Sequence, residues 1–332
     1  MQVSVRGNEP QLSSITFIIF VFTITMQIYK TNFYKTKNIY KKTLTTMKKY
    51  INYFFRLIKE CFIWRKRIDD SINIDFNKKT DFRVITFNLR RDTPNDGPNN
   101  WVYRREGAVN MIIDYYPDII CFQECMPTMA KYLIYRLSKY YDNSGVEIFT
   151  GREMKKSNFI FGEGLFVMWR KDIFDFKDKK VVKLFDGRKI NLRRFIDVVL
   201  FDKERKEEIH VINTHFCHMS KEAQNKSFVV LKDYVDKLEK FYACGDYNTD
   251  KTYRNTYITL MMDEYSYNYK KKTTDTTICG YGNKTNTGQV IDYIFSNQPL
   301  SDFEIITNGY GCNYLTDHYP VCNYYETKNT NF

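Results

Sequence analysis

The sequence predicts a mixed α/β (α+β) fold in which two β-sheets pack against each other and helices cover the outside. Three observations carry this. Between residues 82 and 139, β-branched runs alternate with helical apolar periods, as in strand–helix–strand units. Between 146 and 214, strand-like runs follow one another with no helix between them, which an all-parallel sheet does not permit. Candidate catalytic side chains fall at the ends of predicted strands, where a rigid scaffold presents chemistry.

The chain has 332 residues, enough for one large domain or two ordinary ones. Residues 13–29 (SSITFIIFVFTITMQIY) are apolar and uncharged, and basic residues follow from Lys30. Spanning the hydrocarbon core takes about 20 residues, so this is a short candidate span whose basic flank would stay on the cytoplasmic side. Residues 1–46 are therefore read either as a signal anchor or as a flexible or untranslated leader, with translation then starting at Met47. In the first case the protein is membrane-associated, otherwise cytoplasmic. Residues 48–68 (KKYINYFFRLIKECFIWRKRI) place Ile51, Phe54, Phe55, Ile58 and Phe62 at helical spacing among Lys and Arg. This basic amphipathic helix suits a membrane surface or a face of its own domain. Residues 69–80 are polar and complete a helix-plus-linker segment over 47–80.

From residue 81 to 326 the pattern changes to that of one folded domain, followed by a polar tail over 327–332. Phe82–Asn88 alternates and is β-branched, so it reads as a strand. DTPNDGPNN (92–100) is dense in turn formers and reads as a loop. Residues 102–115 and 127–139 read as helices, with a buried strand over 117–124 between them. Strands are expected at 146–150, 164–170, 194–201 and 208–214. A helix follows over 220–239, then strands at 240–245, 290–296 and 318–324. No repeat is visible.

The net charge of +12 at first suggests a nucleic-acid partner, but its distribution weakens that reading. Residues 1–80 hold 15 basic and 5 acidic residues, a net of +10, which leaves +2 for the rest. The eight cysteines (Cys61, Cys121, Cys125, Cys217, Cys244, Cys279, Cys312 and Cys322) are scattered, mostly in apolar runs and without a CxxC pair. They are expected as buried free thiols, and neither a zinc site nor a disulfide framework is indicated.

Asn88, Glu124, His215, Asp246, Asn248, Asp292, Asp317 and His318 each lie at or beside a predicted strand end. Taken singly, an Asp or Asn there is usually a turn or cap residue. Taken together and in order, the segments TFNLR with Asn88, Gln123-Glu124, Asn213-Thr-His215, Gly245-Asp246-Tyr-Asn248, Ile291-Asp292-Tyr-Ile and Thr316-Asp317-His318 form a larger pattern. It resembles the endonuclease/exonuclease/phosphatase superfamily of metal-dependent phosphoesterases, with its deoxyribonuclease-like fold, over about residues 82–325. Asp96-Gly-Pro-Asn99-Asn-Trp101, Arg104-Arg105, Gly151-Arg152, Gly162-Glu163 and His215-Phe-Cys-His218 extend the likeness to a bacterial-type branch with poorly defined substrates. The resemblance implies a four-layer α/β sandwich: two mixed sheets face to face, with helices on the outer faces.

It also implies the chemistry. Hydrolysing a phosphoester needs a cation on the phosphate, an activated water and a proton for the leaving oxygen. Hard oxygen ligands suit Mg²⁺ or Mn²⁺, as one ion or two. By the resemblance Glu124 is the principal metal ligand, with Asn88 and Asp317 in or next to the same shell. Asp246 orients or deprotonates water, and Asn248 contacts the phosphate. His318 contacts phosphate or acts as acid/base, with Asp292 fixing its imidazole. His215 is the second active-site histidine, and Glu163, opening Glu-Gly-Leu-Phe-Val, is its expected partner. Trp101, Arg104, Arg152 and His218 are candidate substrate-binding residues. For Trp101 and Arg104 the alternative is that they pin the 92–100 loop onto the following helix.

The branch usually carries Asp at Cys217, Arg at Gln224, Ser at Thr316 and Arg at Tyr319, so its substrates do not transfer directly. The function read from the sequence is metal-dependent hydrolysis of a phosphodiester or phosphomonoester in nucleic acid, a nucleotide or a phospholipid or inositol-type substrate. A membrane-tethered module that binds a phosphate ligand without turnover is the alternative. The expected partners are that substrate and a membrane contacted through residues 13–68. The protein is expected to be a monomer.

Overall fold

The computed structural model describes residues 37–63, 71–74, 81–148, 162–185, 193–253, 256–269, 271–282 and 288–326. The candidate span 13–29, Arg152 and the tail 327–332 lie outside the described residues. The chain divides into two units, Met1–Ile58 and Lys59–Phe332. Helix α1 (Lys37–Ile63) crosses that boundary. It starts well before Lys48, where the sequence suggested, because no Pro or Gly interrupts the segment from Lys37 onward. No described helix is long and apolar enough to cross a membrane.

The second unit carries strand β1 (Asp81–Asn88), helix α2 (Trp101–Tyr115), β2 (Ile119–Cys125), α3 (Pro127–Leu137), β3 (Tyr141–Asn143), β4 (Glu147–Ile148) and β5 (Gly164–Arg170). Then come β6 (Phe174–Lys183), β7 (Arg194–Asp202), β8 (Glu207–His215), α4 (Lys221–Val235), β9 (Phe241–Asp246), α5 (Thr259–Met262), β10 (Asp292–Ser296), β11 (Leu300–Ile305) and β12 (Val321–Glu326). The loop expected at 92–100 contains a 3₁₀ turn over Pro94–Asn99, started by Pro94 and capped by the Thr93 hydroxyl.

These elements build a four-layer α/β sandwich. One sheet runs β11-β12-β1-β2-β5-β3, with β4 also paired to β5, and the other runs β10-β9-β8-β7-β6. Each has a single parallel pair, β1 with β2 and β8 with β9. A parallel pair needs a crossover, and α2 and α4 supply them. The inner faces of the sheets meet through Val84, Ile119, Cys121, Val167, Trp169, Ile196, Val198, Val211 and Ile294, all essentially buried. Outside the second sheet, Phe228, Leu231 and Val235 of α4 pack with Ile212, Ala243, Tyr247 and Phe295. Burying each such side chain stabilises by roughly 1.5–3 kcal/mol.

At one end the apolar interior gives way to a polar stitch between the sheets. Gln123 donates to Asn213 Oδ1 at 2.8 Å and to Thr86 Oγ1 at 3.1 Å. Asn213 donates to the carbonyls of Phe122 and Phe166 at 2.9 and 3.1 Å. Buried amides so saturated lock the relative register of β2 and β8. The candidate side chains sit just beyond them.

Candidate active site

Strand register assembles the site. Across the parallel pair of the second sheet His215 lies opposite Asp246, and across the next pair Asp246 lies opposite Asp292. Three functional side chains from three strands therefore form one row. The row requires β8 and β9 to approach closely at Gly245, where a Cβ would meet the Thr214 carbonyl oxygen at 2.5 Å. In the facing sheet Asn88 ends β1 beside Gln123 of β2. The β2–β5 pairing shifts register between Phe122 and Cys125, and Glu124 within that bulge takes a left-handed φ of 52°. Bulges re-aim side chains, and a non-glycine residue held in this region marks a constrained position. Asn248 (φ 51°) and Arg90 (φ 50°) share it, so three such residues surround one cleft.

The side chains converge on Asp246. Its Oδ2 accepts from Asn88 Nδ2 at 3.0 Å and lies 3.4 Å from His215 Nε2 and 3.9 Å from His318 Nε2. Its Oδ1 accepts from the Asn248 backbone N–H at 2.9 Å. Asn88 also donates toward Glu124 Oε1 at 3.5 Å, so its amide joins the two carboxylates. His318 Nδ1 pairs with Asp292 Oδ2 at 2.9 Å, the dyad expected from the sequence. Asp292 is held in turn through its backbone: Thr277 Oγ1 accepts from the N–H groups of Ile291 and Asp292 at 3.0 and 3.2 Å. The strap carrying Thr277 continues to Cys279 and Gly280, whose N–H groups donate to the Asp317 carbonyl at 2.9 Å.

The electrostatics separate the two histidines. Burial, then the charges of Arg193, His318 and His218, hold His215 well below the usual histidine range, so it is a neutral imidazole. Burial also disfavours charge on His318, but the carboxylates of Asp292, Asp246 and Asp317 outweigh it and keep an imidazolium. Groups pushed apart in this way are the signature of divided acid and base roles. Burial, then the charge of Asp292, pushes the Asp246 carboxyl up to about 7. Burial and the charge of Glu124 raise Glu163.

The chain matches the model of the Endonuclease/Exonuclease/phosphatase family over residues 85–318. It belongs to that family. Its members hydrolyse phosphoester bonds with divalent cations, and this chain is a phosphoric ester hydrolase. Solved structures share the fold. An endonuclease/exonuclease/phosphatase from Bacteroides vulgatus is 24% identical, with 75% of this chain and 100% of that one covered, at a TM-score of 0.61. A mannosyl-6-phosphatase from Bacteroides thetaiotaomicron is 20% identical over 73% and 98% of the two chains, at 0.59. TDP2 of D. rerio, solved with a single-strand DNA product, is 15% identical over 75% and 100%, at 0.56. No match was found among curated proteins.

Several sequence expectations are revised by the geometry. Trp101 and Arg104 are each only 1% exposed. Trp101 packs edge-on against Tyr132 of α3. Arg104 donates to the carbonyls of Asn99, Leu89, Leu315 and Arg90 at 2.6–2.9 Å. Neither is free to contact a substrate: Arg104 is saturated by backbone and fastens the β1–α2 loop to the loop carrying Leu315. His215 and Glu163 do not pair. His215 faces Asp246, and Glu163 Oε2 instead lies 3.4 Å from Arg91 of the β1–α2 loop, whose guanidinium out-competes a neutral imidazole. Asn88 points its NH₂ into the cleft because the Arg90 N–H needs its oxygen, at 2.9 Å. Asn248 donates to the Phe216 carbonyl at 3.0 Å, and His218 is exposed beyond it. Asp317 lies 3.6 Å from Arg90, which also reaches Asp96.

Four residues escaped the sequence reading: Arg90, Arg91, Arg193 and Thr277. The first two follow Asn88 by two and three positions, which was the available signal. Nothing local marks Arg193 or Thr277.

Proposed function

We propose that the protein hydrolyses phosphoesters with Mg²⁺ or Mn²⁺ held at Glu124, with Asp246 acting on the attacking water and His318 as the acid for the leaving oxygen. The convergence of Asn88, His215 and His318 on one oxygen of Asp246 is the observation that carries this. Donor chemistry fits a hard cation. The Glu124 carboxylate is half-buried and forms no ion pair with any described Lys or Arg, its oxygens being met only by an amide and the Arg91 N–H at 3.0 Å. Asp292 Oδ1 is buried without a hydrogen-bond partner. Ligand atoms of Asp246, Asp292 and His318 lie within 4.8 Å of one another, a cluster that could hold a second cation only with His318 in its neutral form.

When bound, the cation neutralises phosphate charge and lowers the pKa of water. Asn88 holds Glu124 and Asp246 at a fixed separation. Asp246, buried and beside the charge of Asp292, accepts a proton from water. His318, an imidazolium, gives its Nε2 proton to the departing oxygen, and Asp292 keeps Nδ1 protonated so that Nε2 faces the cleft. His215, neutral and buried, offers a hydrogen bond to phosphate oxygen or water without adding charge.

The substrate is a nucleic acid, a nucleotide or a phospholipid or inositol-type headgroup. The near-neutral catalytic region gives no independent support for long polyanions. The mannosyl-6-phosphatase and the TDP2–DNA complex mark two ends of that range. A panel of such esters, assayed with Mg²⁺, Mn²⁺ or EDTA, tests the reading. Glu124→Ala is expected to lose roughly 10²–10⁴-fold in turnover while remaining folded. No cleavage of any ester with either cation, or undiminished activity in Glu124→Ala, would overturn it.

A further inference from the structure

Among the described residues three arginines are buried: Arg104, Arg170 and Arg193, at 1, 8 and 6% exposure. Two of them are accounted for. Arg104 is saturated by four backbone carbonyls, and Arg170 pairs with Asp118 and Asp172 at 3.1 and 2.6 Å. Arg193 is different. One nitrogen donates to the His215 carbonyl at 3.3 Å, and no described carboxylate forms an ion pair with the guanidinium. A guanidinium carries five N–H donors, and burying its charge without an anion is costly. Within the described fold only the charge of Glu163, beyond ion-pair distance, offsets part of that cost.

Its position points to the class of anion it can meet. Arg193 immediately precedes β7, and its nitrogen rests on the backbone of His215, a residue of the Asp246 row. Its charge also acts on the His215 imidazole and on the Glu163 carboxylate, which directly precedes β5 of the facing sheet. The cleft it borders is the one read above as the place of a phosphoester.

We propose that Arg193 binds the substrate's phosphate, gripping its non-bridging oxygens on the His215 side of the cleft while His318 faces the leaving oxygen. This rests on the phosphoesterase reading and adds a residue to it. A planar fork matches two phosphate oxygens at once, and charge-assisted pairs of this kind are about twice as strong as neutral ones. The same anion that is hydrolysed then discharges the buried cation, so the cost is present only in the empty protein.

That makes the test unusual in sign. In full-length Arg193→Met an apolar chain of similar length replaces an unpaired buried charge, so the empty protein should melt no lower than wild type. Its affinity for inorganic phosphate, measured by calorimetry with Mg²⁺ and again in EDTA, should fall roughly 10- to 100-fold. The KM for whichever ester the panel identifies should rise in step. A variant that unfolds or melts well below wild type shows that Arg193 is a structural cross-brace and overturns the proposal, as does unchanged phosphate affinity. Hydrolysis by wild type with unaltered binding in Arg193→Met refutes this assignment alone. Phosphate binding that depends on Arg193 without hydrolysis of any ester refutes the enzymatic reading and leaves the assignment standing.

Discussion

The Asp246 carboxyl offers a quantitative test, because the site trades stability for chemistry at one residue. Burial first, and then the neighbouring charge of Asp292, push it from its ordinary 3.8 up to about 7, against the opposing pull of His318, the Asn248 N–H and Asn88. The folded-state value is raised above the unfolded one. The folded protein therefore holds a proton through a window in which the unfolded chain has lost it. The contribution of this group is most favourable below about pH 4, is lost as the pH climbs to about 7, and is a constant penalty above that. A gap of three units corresponds to about 4 kcal/mol at 1.36 kcal/mol per unit.

Asp246→Asn removes the ionisation and keeps the shape. Its side-chain oxygen can still accept from the Asn248 N–H, but its NH₂ then faces that of Asn88, two donors with no acceptor, at a cost of about 1–3 kcal/mol that does not vary with pH. The decisive quantity is thus the change in the difference between the proteins. In urea unfolding with EDTA, the variant should gain on wild type by about 3 kcal/mol between about pH 4.5 and 8. Turnover should fall by at least about 100-fold over the same range. Two unfolding curves that shift in parallel with pH would refute the claim that Asp246 is held against its preference for ionisation.

Two further substitutions probe the supports. Asp292→Asn withdraws the nearest anion from His318, so the alkaline limb of the kcat/KM profile should move to lower pH; a limb that stays in place removes His318 from the acid's role. Arg104→Met leaves the carbonyls of Leu89, Arg90, Asn99 and Leu315 without their buried donor, and should cost about 3–5 kcal/mol in a denaturant titration. Stability within about 0.5 kcal/mol of wild type would mean that water replaces the guanidinium there.

What was legible in the sequence follows the physics of burial. Strands inside the sandwich, such as Gly164–Arg170 and Arg194–Asp202, are dominated by buried apolar residues and were read within a residue or two of their ends. The strand over Phe174–Lys183 was missed because it is the last of its sheet and largely exposed, so its lysines and aspartates hide any alternation. Leu300–Ile305 was missed for the same reason at the edge of the other sheet. Lysine on such edges discourages pairing with another chain, and the feature that protects the fold is the one that conceals the strand.

The same logic divides the site. His215, Asp246, Asp292 and His318 were legible because they fall in order in short polar motifs that follow or open apolar runs, and register alone then brings the first three together. Partnerships were less legible than positions. The sequence allotted Glu163 to His215, yet that choice is settled by which cation comes within reach, and Arg91 arrives from a loop that no periodicity describes. Arg104 and Arg193 make the point more sharply. Both are arginines beside loop segments, and composition cannot separate them. One is satisfied by four carbonyls from two loops and the other is left with one. The difference lies in the count of partners around a buried charge, which only the folded chain defines, and it assigns one guanidinium to the architecture and the other to the ligand.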